Sequence, residues 1–77
     1  MNIAFFGMDY ETTKKIKDFI IMDSVGTIAH MTSQRGDRHS LLITGFNGHL
    51  EVVNKGLFIN GKFGLKMSNF EGFSMYD

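Results

Sequence analysis

The stretch GFNGHLEVVNKGLFINGKFGLKM, residues 45–67, decides the fold class. Glycine falls at 45, 48, 56, 61 and 64 with short apolar runs between, which is the punctuation of β-hairpins rather than of helix or disorder. Asn47-Gly48 and Asn60-Gly61 read as two-residue turns, because Asn and Gly tolerate the positive φ that hairpin turns require. The runs Leu50–Val53 and Leu57–Ile59 read as strands flanking Asn54-Lys55-Gly56. After Asn60-Gly61 comes the cleanest alternation in the chain: Phe63, Leu65 and Met67 on one face, Lys62, Gly64 and Lys66 on the other. That pattern predicts a half-buried strand with lysines facing solvent at a sheet edge.

Upstream, Thr27–Thr32 and Ser40–Thr44 are rich in β-branched and apolar residues and predict two more strands. Between them lies TSQRGDRHS, Thr32–Ser40, the most polar piece of the chain. A two-residue turn at Gly36-Asp37 would suit type II′ but would set Arg35 opposite Arg38, a like-charge pair. A longer loop centred on Gly36 moves both arginines off the ladder and is the preferred reading. Either way an Arg-Gly-Asp triplet sits at an exposed tip. Three letters do not make an adhesion signal, but Arg35 and Arg38 suit contact with a partner's carboxylate or phosphate groups.

At the N-terminus, Asn2–Phe6 reads as a strand ended by Gly7. Asp9 is placed to cap a helix over Tyr10–Met22, in which Ile16, Phe19 and Ile20 form an apolar stripe while Lys14, Lys17 and Asp18 face water. A strand through Phe19–Met22 is the rival, since those residues are uniformly apolar. Phe70, Phe73 and Met75 form a looser aromatic tail, compatible with a short last strand. The predicted order is β, α, then roughly four to six short strands in meander. The fold class is therefore α+β: one domain over residues 1–77, with the N-terminal helix packed on a small curled antiparallel sheet of hairpins. Closure toward a small barrel, with the helix as plug or cap, is the alternative.

Composition limits the function. A chain of 77 residues buries roughly 60 % of its unfolded surface, enough for one core but not for a large cavity. It has eight Phe and six Met to fill that core, and no Cys or Pro. Disulfides and thiolate metal sites are excluded. Eight basic residues balance eight acidic ones, so no strong field favours nucleic acid. The opening residues lack the basic region of a signal peptide and no apolar run has spanning length, which predicts a cytoplasmic protein without membrane contact.

Chemistry-bearing groups do not gather into motifs. His30, His39 and His49 lack metal-ligand spacing, no serine sits on a nucleophile elbow, and GFNGH is no phosphate-binding fingerprint. No enzyme activity, metal or cofactor is expected. Nucleic-acid binding has modest support: Phe58, Phe63, Phe70 and Phe73 offer rings and Lys55, Lys62 and Lys66 offer charge, but Phe63 shares the core pattern of its strand. Protein binding has more, because aromatic and Met side chains exceed what a small core hides, and Phe58, Phe73, Met75 and Tyr76 are candidates for exposure. The expected site combines Arg35, Arg38 and His39 at the tip with Phe58, Lys62, Lys66, Phe73 and Tyr76 on the sheet.

The expected activity is stoichiometric contact with another protein or with a second copy of the chain. In size and style it is compatible with the small inhibitor and accessory proteins of bacteria and their phages, which favours an inhibitor or adaptor. A single-stranded nucleic-acid module is the alternative.

Overall fold

The helix begins at its predicted cap. In the computed structural model, which describes residues 1–23, 26–67 and 70–76, α1 spans Tyr10–Asp23. The Thr12 N–H donates to Asp9 Oδ1 at 3.2 Å, and the Thr13 N–H and hydroxyl donate to the Asp9 carbonyl at 3.0 and 2.7 Å. Helical geometry splits the uniform run that had suggested a strand. Ile20 is fully buried and Phe19 half-buried, while Ile21 and Met22 turn outward.

Hydrogen bonding from Thr12, its side chain first, holds the Asp9 carboxyl below its ordinary value near 3.8. The folded state therefore favours the ionised cap. Its contribution is complete above the unfolded value and is lost as pH falls through the lower, folded one. Asp9→Ala is expected to cost about 1 kcal/mol at neutral pH. Urea titrations of the two proteins should begin to converge as pH falls below about 4; a gap unchanged down to pH 2 would assign the cost to something other than charge.

The strands form two sheets, not the one curled sheet expected. β1 (Asn2–Met8), β2 (Ile28–Arg35), β3 (Arg38–Thr44) and β7 (Gly72–Tyr76) make an antiparallel sheet in the order β2-β3-β1-β7. β4 (Leu50–Val53), β5 (Gly56–Ile59) and β6 (Lys62–Lys66) make a separate antiparallel sheet in sequential order. Neither closes into a barrel nor is strongly curled. Only the small sheet is a meander. In the large one, β1 and β2 are parallel with β3 between them, the split βαβ arrangement, and α1 is the crossover. β3 and β7 repeat that relation about β1, with β4–β6 as the crossover.

Asn47-Gly48 is accordingly no hairpin turn: it lies in the connection that carries the chain from one sheet to the other. The Asn60 side chain anchors this connection by accepting the His49 N–H at 2.9 Å, and the Asn60 N–H donates to the His49 carbonyl at 2.7 Å. The turns of the small sheet are Asn54-Lys55 (φ 50° and 63°) and Asn60-Gly61 (φ 52° and 80°), both with the consecutive positive φ of type I′.

Both crossovers cover the same face of the large sheet. One core joins Ile3, Phe5, Met8, Leu41 and Ile43 from that sheet, Ile16 and Ile20 from α1, and Leu50, Leu57, Ile59 and Met67 from the small-sheet segment. Phe46, in the connection, is also buried. Of three register irregularities, one lies near the end of β2 between Ser33 and Arg35, and the other two make the core pattern work. Gly7 does not end β1 but bulges it: Phe5 pairs with Leu41 and Met8 with His39, so one extra residue on β1 returns Met8 to the core. Gly7 has φ 73°, and a Cβ there would also collide with the stem of Glu71.

The second bulge is at Gly64. Phe58 pairs with Phe63 but Leu57 with Leu65, leaving Gly64 as the extra residue. The alternation read through Phe63, Leu65 and Met67 is broken there. Leu65 follows Leu57 inward, whereas Phe63 follows Phe58 outward and is 59 % exposed. The cause is the helix: the Phe19 ring occupies the space where a Gly64 side chain would be.

Candidate functional site

The residues singled out from sequence fall in three separate places. At the β2–β3 tip the turn is the shorter of the two considered. Gly36 has φ 60°, as at the first central position of type II′, and Arg35 is opposite Arg38. The preference for a longer loop was wrong because Arg38 leaves its neighbour. Its guanidinium donates from Nη1 to the Gly7 carbonyl at 2.7 Å, tying the tip to the β1 bulge. Arg38 thus ties the tip down, and both Arg35 and Arg38 are exposed. His39 is half-buried with its ring edge-on to Tyr10, 5.6 Å between centroids, at the start of α1.

Phe58, Lys62 and Lys66 belong to the small sheet. Phe58 meets Phe63 edge-on at 5.4 Å on the outer side, which Lys66, opposite Gly56, shares. Lys62 follows the Asn60-Gly61 turn and is exposed. The two β7 residues separate. Phe73 is half-buried against the core: it stacks on Phe5 at 5.9 Å and adjoins Phe70 at 6.1 Å. Tyr76 is 47 % exposed.

Tyr76 leads to a surface that the sequence reading missed. The face of the large sheet turned away from α1 is covered by no element described. Pairing places Asn2 beside Tyr76, Ala4 beside Ser74 and Leu42, Leu42 beside His30, and Thr44 beside Ile28 on this face. Phe6 lies opposite Gly72, and Thr32 opposite Ser40. Ile28, Leu42 and Phe6 are 68 %, 38 % and 37 % exposed. None of these positions is Asp, Glu, Lys or Arg; charge enters this face only with the Arg35–Arg38 pair that ends it. The signal was the alternation Ile28/His30/Thr32, but the uniformly apolar Leu41-Leu42-Ile43 reads as buried on both sides.

The histidines do not converge. His30 lies on the open face, His39 against Tyr10, and His49 Nε2 is 3.3 Å from Glu51 Oε1 in solvent. Among the described residues no group of His, Asp and Glu is arranged to hold a metal ion. No helix among them is long and apolar enough to cross a membrane. Neither a protein-family model nor a curated protein nor a solved structure matches this chain.

Proposed function

We propose that the chain is a non-enzymatic protein-binding module, an inhibitor or adaptor acting stoichiometrically through the open face of its four-stranded sheet. The carrying observation is chemical: an exposed sheet face with Phe6, Ile28, Leu42 and Tyr76 on it, whose charge is confined to the Arg35–Arg38 pair at one end. Phosphate-backbone binding depends on Lys and Arg. An apolar, uncharged centre is instead the composition of the buried middle of a protein interface. Exposed apolar patches of a few hundred Å² are often functional.

The test uses Leu42→Glu, a substitution on an exposed position in the middle of the face. Its effect on stability should stay within about 1 kcal/mol, because the side chain points to solvent. Buried under a partner, the carboxylate would be unpaired, and binding should weaken about 100-fold. Immobilised wild-type and variant proteins are challenged with lysate from the source cells. Retention of one protein in fixed ratio by the wild type, lost with Leu42→Glu, is the expected result. Equal retention by both would remove the face from the reading.

A second reading is favoured by the Gly64 bulge. It brings Phe63 onto the same outer side as Phe58 and Lys66, which is a small ring-and-lysine surface suited to single-stranded nucleic acid. Glu51, paired with Phe58, and a formal net charge of zero weigh against it. Nucleic acid retained alone, and released as salt is raised, would favour this surface over the open face.

A further inference from the structure

The middle of the open face offers no free backbone groups, because β1 and β3 are each paired on both sides. A segment laid across it must satisfy its own backbone hydrogen bonds, which a helix does and a single extended strand does not. The exposed apolar side chains of the face also fall on a line. Leu42 stands beside His30 on β2 and beside Ala4 on β1. Ile28 is two residues before His30, and Phe6 is two residues after Ala4. β1 and β2 run parallel, so Ile28, Leu42 and Phe6 make a diagonal ridge across three strands. On the β7 side of that ridge lie the small residues Ala4, Ser74 and Gly72, with Tyr76 at the corner.

Charge enters where the ridge ends. Arg38 lies four residues before Leu42 on the same face of β3, and its guanidinium is held on the carbonyl of Gly7, the residue after Phe6. That bond fixes the group in place and leaves most of its donors unused. Arg38 stands opposite Arg35, and like charges so placed repel. Among the described residues no carboxylate lies within ion-pair distance of either, Asp37 in the turn between them included. An incoming anion would therefore relieve the pair. The far end of the ridge, where Ile28 is beside Thr44, carries no charge.

We propose that the open face takes an amphipathic helix of another protein, laid along the Ile28–Leu42–Phe6 ridge with a carboxylate at the end that meets Arg38. This rests on the protein-binding reading and names the chemistry of its partner. Strand spacing and rise make each step of the ridge about 8 Å and its length about 16 Å. A helix covers that distance in about 11 residues, so apolar side chains at i, i+4, i+7 and i+11 would follow it. The carboxylate belongs within a turn of the last of these. Three apolar anchors and one charge-assisted pair make a helix-in-groove contact, whose affinity rests on a few side chains rather than on a broad area.

A displayed library of random 20-residue peptides, sorted on the purified chain, tests this. Expected are peptides with apolar residues at helical spacing and Asp or Glu at one end, which become helical on binding by circular dichroism. Leu42→Glu should weaken them about 100-fold. Exchanging the peptide's end carboxylate for an amide should weaken binding to the wild type about 10-fold and leave binding to Arg38→Gln unchanged. That comparison reads the charge pair even where Arg38→Gln loosens the tip. Selected peptides that stay extended, or whose end carboxylate is insensitive to Arg38→Gln, overturn the proposal. So does Leu42-dependent binding to phosphatidylcholine–phosphatidylserine vesicles in place of peptides, or Leu42-dependent self-association in sedimentation. If no helical peptide is selected while Leu42-dependent capture of a cellular protein persists, the helix is refuted and the binding face stands. Peptides that bind Leu42→Glu as well as the wild type refute both.

Discussion

Phe5→Ala should lower stability by about 3–5 kcal/mol, the range for truncating a buried phenylalanine. Phe5 is fully buried on β1, the strand flanked by both β3 and β7, and it stands opposite Leu41 on one side and Phe73 on the other. Its ring stacks on Phe73 with 23° between planes and meets Phe70 at 6.3 Å. The cluster holds the last strand to the first, so the substitution removes apolar contact, ring–ring contact and the anchor of β7 together. A chain of 77 residues has a total stability of about 4–12 kcal/mol, so most of the margin is at stake. Thermal and urea denaturation should show a midpoint falling by more than about 12 °C, or a chain already unfolded at 25 °C. Phe63→Ala is the control, since that ring is 59 % exposed on the outer side of the small sheet. It should cost about 1 kcal/mol or less. Equal losses from the two substitutions would mean that Phe63 is core, as simple alternation suggests, and that the Gly64 bulge is wrongly placed.

Local features were legible in the sequence and long-range ones were not. Asp9 and the 3.6-residue period of Ile16, Phe19 and Ile20 mark α1, because capping and amphipathicity are written within a few residues of each other. Asn60-Gly61 marks a hairpin for the same reason. Asn47-Gly48 has the same local chemistry yet joins two sheets, and what distinguishes it is the distant Asn60 side chain on the His49 N–H. The partition into two sheets follows from that connection, so a meander was the natural misreading. Side-chain parity failed at Gly7 and Gly64, where one extra residue reverses every later position in the strand.

The candidate site was less legible still. Arg38 looked like a free tip cation because nothing in TSQRGDRHS points to the Gly7 carbonyl, 31 positions away. Phe73 looked spare because its partner Phe5 lies at the other end of the chain. Leu42 looked buried because apolar runs usually are, whereas here both crossovers fall on one side of the sheet. Of the residues chosen from sequence, Tyr76 lies on the open face and the Arg35–Arg38 pair ends it; Phe58 and Lys66 share a different surface.

Gly64→Ala tests the contact that couples helix to sheet, with an expected loss of about 1–3 kcal/mol for an overpacked methyl. Gly64 has an ordinary backbone conformation, outside the positive-φ set, so its cost as alanine comes from packing and not from strain. The new Cβ would fall on the Phe19 ring. Either the ring leaves β6 and loses its burial, or the β6 edge moves away from α1. Phe19→Ala alone also destabilises, by removing a partly buried ring that packs against the core. In the double variant the methyl enters space that the ring has vacated, so the two losses should not add. A double-mutant cycle in urea is expected to give a coupling of about 1–2 kcal/mol that offsets the single losses. Additive losses would show that the ring and the glycine do not meet. The bulge would then need another cause, and the outward turn of Phe63, on which the nucleic-acid reading depends, would lose its physical basis.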